Sequence, residues 1–131
     1  MSLEDRRERG TQLLQKMLGA EQAEQTLQHW KQICPEFGDY VVEFLSGEIW
    51  SRPQLDRRIK SLVTIATLAG LGRTRALDLH IRMATRNGAT RQDITETLLH
   101  IAPYAGFPAS WEALAQVDMV FSESDSTSSA E

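Results

Sequence analysis

The side chains in this sequence that can exchange protons near neutral pH are three histidines, His29, His80 and His100. Imidazole titrates close to neutrality, which makes histidine the commonest general acid or base. His80 lies on a predicted apolar helical stripe, whereas the other two have polar neighbours and are expected to be exposed. A histidine on an apolar stripe is either catalytic or a packed core residue, and the sequence leaves both interpretations open.

A carboxylate and a group of cations form a second set of candidates. Glu48 is close to Trp50 in a predicted loop, where it lies either in a half-dry pocket or, as is more common for a loop acid, in water. Arg57, Arg58 and Lys60 follow at the start of a predicted helix. Cations there oppose the helix dipole, so we expect a bound anion or the carboxylates of a partner subunit to compensate them.

The charge distribution is consistent with anion binding. The 131 residues carry a net charge of −4, which argues against nucleic acid as the main partner. Nine of the 14 Lys and Arg residues, but only two acidic residues, lie between residues 52 and 91. This stretch therefore has a net charge of +7 and the rest of the chain −11. A basic stretch in an acidic protein suits a small anion, although from charge alone a solvated helix face is the more common explanation.

The spacing of cysteine and histidine excludes several kinds of site. Cys34 is the only cysteine, so an intrachain disulfide, a CxxC redox centre and a cysteine-rich zinc site are excluded. No HxxxH or HxxE spacing accompanies His80, so we expect no metal site. The sequence also has no phosphate-binding loop, dinucleotide-binding fingerprint or nucleophile motif.

The elements that must position these residues are all predicted to be helices, because apolar residues recur at helical spacing and no alternating strand pattern occurs. Gly47 is predicted to end the third helix, and Pro103 to end or kink the sixth. From Ser61 the fourth helix is apolar nearly all round, which is typical of a helix at the centre of a bundle. The predicted helices span about 4–18, 21–32, 36–46, 55–71, 74–87, 90–103 and 109–121.

Length and composition predict one domain at residues 1–121. An acidic, serine-rich tail follows at residues 122–131, and we expect it to be disordered. No apolar run approaches the roughly 20 residues of a membrane span, and the charged first residues do not resemble a secretory signal. We therefore expect a cytoplasmic protein with no membrane association.

Five segments of the chain, taken in order, are specific to one protein family. They are GEIWSRPQLDRR (47–58), SLVTIATLAGLGR (61–73), LDLHIRMA (77–84), NGATRQDITE (87–96) and YAGFPA (104–109). Over about residues 5–118 the sequence resembles the gamma-carboxymuconolactone decarboxylase family. The resemblance implies the small all-α helical bundle of the alkylhydroperoxidase D-like type, with about six to seven helices. It also implies a homo-oligomer, a trimer or a hexamer.

The resemblance separates two kinds of chemistry. Arg73 and Ala76 stand where the peroxidase-like branch of the superfamily has two cysteines, and a thiol–disulfide relay needs both sulfurs. Without these two cysteines, the sequence resembles the decarboxylase branch of the superfamily. Its members convert 4-carboxymuconolactone to the beta-ketoadipate enol-lactone in protocatechuate catabolism, with release of carbon dioxide and without a cofactor. The resemblance therefore implies a carboxy-lyase that binds a small anionic lactone and needs no metal.

The family motifs also imply roles for individual residues. His80 and Glu48 match the family as catalytic residues. The matched positions with a substrate-binding role are Arg57, Arg52, Trp50 and Tyr104. Arg82 and Glu96 also match, but no role follows for them from the sequence.

The sequence departs from the family pattern at two positions. Lys60 stands where the family usually has arginine, and Trp111 where it more often has a small or amide side chain. These departures leave two alternatives open. One is a protein of the same fold that acts on another small anion, and the other is a non-catalytic helical oligomer.

Overall fold

Helices make up all the regular secondary structure of the described residues, which confirms the all-α prediction. The computed structural model describes the backbone of residues 2–130 and the side chains of residues 2–123. Its elements are α1 (Leu3–Leu18), α2 (Ala20–Ile33), α3 (Pro35–Tyr40), a π-helical segment (Val41–Ile49), α4 (Arg57–Gly70), α5 (Thr74–Arg86), α6 (Arg91–Ala105) and α7 (Phe107–Ala130). Met1–Asp56 and Arg57–Glu131 form two compact units. In the described part of the chain, no helix is long and apolar enough to cross a membrane.

In the first unit, α1 begins at a capping box and buries one apolar face. The Ser2 hydroxyl accepts a hydrogen bond from the Asp5 N–H at 3.1 Å, and the Asp5 carboxylate accepts one from the Ser2 N–H at 3.3 Å. Leu13, Leu14 and Met17 lie at helical spacing and are buried. The exposed face is charged, so the amphipathic pattern determines which side of α1 packs inward.

Two glycines bring the backbones of α1 and the π-helical segment into contact. A Cβ atom at Gly10 would overlap the carbonyl oxygen of Val42, and one at Gly47 would overlap the carbonyl oxygen of Arg6. Backbone atoms cannot move aside as a flexible side chain can, so only glycine fits at either position. The prediction that Gly47 ends the third helix is therefore wrong. This glycine lies inside the π-helical segment, where it permits close packing.

The third helix continues beyond its predicted end as a π-helix. In a π-helix each N–H bonds to the carbonyl oxygen five residues earlier, as the Trp50 N–H does to the Leu45 oxygen at 2.8 Å. The predicted loop therefore begins only after Ile49, and Glu48 lies on a helix instead. Extended π-helical segments are rare and occur frequently at functional sites.

The core of the second unit is built from one buried stripe on each of its helices. α5 contributes Leu77 and Ile81, which are fully buried, as the predicted stripe requires. The other helices contribute Ile65, Ala69, Ile94, Leu98, Ala113 and Val117. Burying a side chain as large as leucine or isoleucine stabilises the folded state by about 1.5–3 kcal/mol. This core fixes the orientation of α5 and thereby the position of His80.

α4 is buried along one face only, which corrects the expectation of a helix surrounded by core. Ser61, Ile65 and Ala69 are buried, whereas Val63 is 54% exposed and Leu71, just beyond the helix, is also exposed. Residues four apart lie on one side of an α-helix, so this spacing covers only that side. The apolar residues on the other side remain accessible in the single chain.

The predicted start of α6 is confirmed, and of the two alternatives for Pro103 the structure excludes that it ends the helix. The Thr90 hydroxyl accepts a hydrogen bond from the Asp93 N–H at 3.0 Å, and the Asp93 carboxylate accepts one from the Thr90 N–H at 2.9 Å. Pro103 lies inside the helix, which continues to Ala105 and stops at Gly106, where φ is +106°. Because Pro103 lies in the last turn, its missing N–H leaves the earlier turns intact.

α7 begins at Phe107, two residues before the predicted start. Pro108 is accommodated in its first turn because N–H groups there have no acceptor within the helix. Most of the tail predicted to be disordered, at residues 122–131, has side chains that lie outside the described residues. That prediction and the single-domain interpretation of residues 1–121 both stay predictions.

The close packing of α1 can be tested by adding one methyl group. We expect Gly10→Ala to lower the free energy of unfolding by about 1–3 kcal/mol, because the new Cβ overlaps a backbone oxygen. Gly70→Ala is the matched control, since its Cβ meets only the Ala105 side chain at 3.8 Å. Replacing a helical glycine without a clash stabilises by about 0.4–1 kcal/mol. Urea unfolding of the two variants measures both effects, and equal stabilities would contradict the packing described.

Candidate functional site

The six candidate site residues divide between the two units. Glu48, Trp50 and Arg52 belong to the first unit, at the end of the π-helical segment and in the turn that follows. Within the second unit, the others lie on three different helices. Arg57 is the first residue of α4, His80 is in the middle of α5, and Tyr104 is near the end of α6.

Glu48 is held by an arginine of α1. Its Oε2 atom accepts a hydrogen bond from Arg6 Nη1 at 3.2 Å, and the two side chains are 44% and 34% exposed. The carboxylate is thus neither in a half-dry pocket nor free in water, the two alternatives that the sequence leaves open. It is a half-exposed group whose direction is set by a charged partner.

Two further arginines of α1 hold the same segment. Arg7 Nε donates to Glu43 Oε1 at 2.6 Å, and Arg9 donates from Nε and Nη2 to the Gly47 carbonyl oxygen at 3.0 and 2.7 Å. Carbonyl groups near the end of a helix lack partners within it, so Arg9 satisfies one of them with a cation suited to that end. The segment that carries Glu48 is therefore held to α1 by side chains as well as by backbone packing.

Trp50 and Arg52 lie in the turn after the π-helical segment. Trp50 is buried, at 7% exposure, whereas Arg52 is exposed. Between them, the Ser51 hydroxyl donates to the Ser46 carbonyl oxygen at 2.6 Å, which holds the turn against the end of the segment. The structure thus groups Glu48, Trp50 and Arg52 locally, as their sequence spacing predicts.

His80 is a half-buried residue on α5 that lies beside the core stripe. Burial lowers the pKa of its imidazole below the ordinary value, because the charged form loses solvation. The ring makes no hydrogen bond to any other described residue. His80 is therefore mainly a neutral imidazole at neutral pH, and neither ring nitrogen has a hydrogen-bond partner among the described residues.

The basic start of α4 is compensated in part by the chain itself. Arg58 donates from Nε and Nη2 to the two carboxylate oxygens of Asp93, at 3.2 and 2.9 Å. This guanidinium and the Thr90 N–H lower the pKa of Asp93 to about 2. For Arg58, a carboxylate of the chain itself therefore supplies compensation, in addition to the anion or partner subunit that the sequence suggests. Arg57 makes no ion pair with any described residue, so its charge is available to an anionic ligand.

Tyr104 projects from the surface of α6 near the end of the helix. Its side chain is 82% exposed and lies in the last helical turn, because α6 continues through Pro103. The centre of its ring lies 5.8 Å from that of His100, one turn earlier. Tyr104 is thus accessible to a ligand and is not enclosed by its own unit.

Arg82 and Glu96, which match the family without an assigned role, have different surroundings. Arg82 donates to Asp78 on its own helix at 3.3 Å and to Glu123 of α7 at 2.8 Å. These contacts link α5 to α7, so the structure accounts for Arg82 as a packing residue. Glu96 is exposed on α6 and has no comparable partner among the described residues.

Two grooves lie on the surface of the second unit. The first, of about 410 Å³, runs between α4 and α6 and has a mostly apolar lining with Glu96 and His100 among its polar residues. The second, of about 390 Å³, runs between α6 and α7 beside the exposed Trp111. None of the three candidate residues of this unit lines either groove.

The candidate residues suit acid–base chemistry on a small anion. Within residues 2–123, no three His, Cys, Asp or Glu side chains are arranged to hold a metal ion. An arginine without an ion pair can bind a carboxylate, and a neutral imidazole can donate a hydrogen bond to developing negative charge. The fold and these residues define an all-α protein whose candidate site residues are of types that can bind an anion and transfer a proton.

Comparison with known proteins specifies the class further. The model of the carboxymuconolactone decarboxylase family matches residues 35–119, well over half of the chain. The chain is 37% identical to 4-carboxymuconolactone decarboxylase of Acinetobacter baylyi, over 94% of this chain and 92% of that protein. It is 34% identical to nitrosuccinic acid decarboxylase of Metarhizium robertsii, over 80% of this chain and 73% of that protein. The chain therefore belongs to the carboxymuconolactone decarboxylase family, which confirms the resemblance.

The sequence did not indicate that α1 contacts the candidate site. Arg6 and Arg9 lie outside residues 35–119, and in the sequence they belong to a charged run with no visible partner. One signal was available. Arg6 and Gly10 are four residues apart, so they share a face of the helix, and a glycine inside a helix often marks close packing.

The burial of His80 predicts a pH dependence of stability. Its pKa is lower in the folded chain than the unfolded value of about 6.5, so the unfolded chain takes up a proton first as the pH falls from about 7 to 5. Folding stability should therefore fall over this range, by up to about 1.4 kcal/mol per pH unit. We expect His80→Gln to remove this part of the slope, as measured by urea unfolding at several pH values. His29→Gln, at an exposed position on α2, is the matched control, and a wild-type slope in His80→Gln would contradict the prediction.

Proposed function

We propose that this protein is a carboxy-lyase that converts 4-carboxymuconolactone to the beta-ketoadipate enol-lactone, without a cofactor. The observation that carries the proposal is the 37% identity to the Acinetobacter baylyi decarboxylase over nearly the full length of both chains. The lack of paired cysteines supports the same choice, because the peroxidase chemistry of the superfamily needs two sulfurs. On this proposal the enzyme acts in the cytoplasm, in the breakdown of protocatechuate.

The substrate provides its own electron sink. The leaving carboxylate is attached to the ring carbon that is conjugated, through the ring double bond, with the lactone carbonyl. When the bond to carbon dioxide breaks, the electron pair flows into that carbonyl and forms a dienolate, and a proton then adds to ring carbon. This explains why the reaction needs no pyridoxal or thiamine group to hold the electrons.

The cations have the role of holding a dianionic substrate. Arg57 and Arg52 are proposed to bind a carboxylate, with Lys60 as an additional positive charge. The role of Arg57 is supported by its lack of an ion pair among the described residues. A cation that held the departing carboxylate would stabilise the ground state and slow the reaction. We therefore assign the cations to the acetate arm of the substrate. Trp50 and Tyr104 are proposed to contact the lactone ring.

His80 and Glu48 have the proposed acid–base roles. Because burial lowers the pKa of His80, the imidazole is neutral at neutral pH and suits a hydrogen bond to the developing enolate oxygen. The lowered pKa also makes the protonated fraction of His80 a stronger acid than a free imidazolium. We therefore assign His80 the delivery of the proton to ring carbon, with Glu48 as the alternative acid. In both roles the groups act in the transition state, which raises the rate and not merely the affinity.

A second substrate is supported by one specific observation. The chain is 34% identical to the nitrosuccinic acid decarboxylase of Metarhizium robertsii. Nitrosuccinate is also a small dicarboxylate, and its nitro group accepts the electron pair when carbon dioxide leaves the adjacent carbon. The same cations and acid–base groups suit either compound, and the departures at Lys60 and Trp111 make this alternative worth testing.

In the experiment that tests the function, the purified protein is incubated with 4-carboxymuconolactone and, separately, with nitrosuccinate. No metal or cofactor is added. Loss of substrate with stoichiometric release of carbon dioxide is measured. Turnover of the lactone supports the first proposal, and turnover of nitrosuccinate alone supports the second. No release from either compound by folded protein would contradict both.

The role of His80 predicts a specific loss of turnover. His80→Gln keeps approximate size and hydrogen-bonding capacity but cannot titrate. We expect kcat to fall by at least about 10²-fold, within the range that acid–base catalysis contributes. KM should change much less, because the arginines bind the anion. His29→Gln is the control. Normal turnover in His80→Gln would make His80 a packing residue and leave the acid–base role to Glu48.

We also propose a homo-oligomer, a trimer or a hexamer. Exposed apolar side chains support it, among them Val63 on α4, Leu99 on α6 and Trp111 on α7. Large apolar side chains at this exposure, clustered on helix surfaces, are typical of protein interfaces. Light scattering at micromolar concentration should give a multiple of the 14.8 kDa chain mass. A clean monomer would contradict the proposal.

A further inference from the structure

We infer that Arg6 is a positioning residue that orients the carboxylate of Glu48 for the reaction, an inference that rests on the proposed function. Arg6 Nη1 lies 3.2 Å from Glu48 Oε2, and this ion pair joins residues 42 positions apart in the sequence. Arg6 engages only one of the two carboxylate oxygens. It therefore fixes the direction of the group while the other oxygen stays available to a second partner.

Backbone packing places Arg6 beside Glu48. The carbonyl oxygen of Arg6 is the atom that a Cβ at Gly47 would overlap, so the backbone at residue 6 touches the residue that precedes Glu48. The Nε atom of Arg6 is buried and has no acceptor among the described residues. The guanidinium is thus held by its packing and by the ion pair with Glu48, and its long side chain is not free to swing away.

The other arginines of α1 have different contacts. Arg7 binds Glu43, and Arg9 binds the carbonyl oxygen of Gly47. Both hold α1 to the π-helical segment without touching the Glu48 side chain. Loss of either contact affects packing alone, which separates the role of Arg6 from a general role of α1 in stability.

Positioning matters for the proposed chemistry because proton transfer requires the donor and acceptor atoms to lie within hydrogen-bond reach. A glutamate has three rotatable side-chain bonds, and a half-exposed one samples several rotamers unless a partner selects one. Arg6 is that partner. It acts through Glu48 and not on the substrate, and it lies outside residues 35–119, which the family model matches.

The test is a double-mutant cycle in steady-state kinetics with 4-carboxymuconolactone. We expect Arg6→Gln to lower kcat by up to about 10²-fold, the loss that misplacing a reacting group by about 1 Å can cause, with little change in KM. In the Glu48→Gln background, Arg6→Gln should have no further effect, because the group it positions is gone. Arg7→Gln, which removes a neighbouring ion pair of the same helix, is the matched control and should keep wild-type kcat.

Two results would overturn the inference. One is an equal loss on Arg6→Gln in the wild-type and Glu48→Gln backgrounds, which would mean that Arg6 acts independently of Glu48. The other is a rise in KM with kcat unchanged, which would make Arg6 a substrate-binding residue. If Arg6→Gln does not fold, as judged by circular dichroism, Arg6→Lys replaces it. Lysine retains the charge but not the geometry, so a wild-type kcat in Arg6→Lys would count against positioning.

A measurement without substrate separates this inference from the proposed function. The ¹³C resonance of the Glu48 side-chain carboxyl, assigned by its loss in Glu48→Gln, is recorded in each variant. It should move in Arg6→Gln and stay in place in Arg7→Gln. If the wild-type protein does not turn over the lactone while this resonance behaves as expected, the proposed function fails and the placement of Glu48 by Arg6 stands. A resonance that is unchanged in Arg6→Gln overturns the placement itself.

Discussion

The position of the candidate carboxylate depends on a backbone contact that excludes every side chain. α1 and the π-helical segment approach so closely at Gly10 and Gly47 that a single Cβ atom at either residue would overlap a carbonyl oxygen. This contact brings the start of α1 to Glu48, and only then are the arginines of α1 able to reach the segment. Arg9 satisfies the Gly47 carbonyl and Arg6 binds Glu48. The charged contacts are therefore consequences of the glycine packing, since an ion pair at a partly exposed surface is too weak to impose such an approach.

In the second unit, burial determines both the place and the protonation state of the candidate imidazole. Leu77 and Ile81 are fully buried, and they orient α5 so that His80 lies at the edge of the core. The same burial lowers the pKa of His80, because a charged imidazole loses solvation there. The position and the protonation state of this imidazole thus have one physical cause.

The arginines of the chain show why charge counts alone do not locate a binding site. Arg57 and Arg58 are neighbours in sequence, yet Arg58 is paired with Asp93 and Arg57 has no ion pair with a described residue. The pairing uses a carboxylate that also caps α6, so one aspartate serves two structural purposes. A cation that remains unpaired is the one suited to a carboxylate substrate.

The sequence by itself determined the helical fold class, the start of α6 near residue 90, the apolar stripe of α5 and the family. All of these depend on periodicity, on contacts three or four residues apart, or on ordered motifs, and such signals are local. Only the tertiary structure decided that Gly47 packs inside a π-helix, that Pro103 lies within α6, and that Arg6 reaches Glu48. These features depend on which backbones meet at short distance. Residues 6 and 48 are 42 positions apart, and no local pattern records the contact between them.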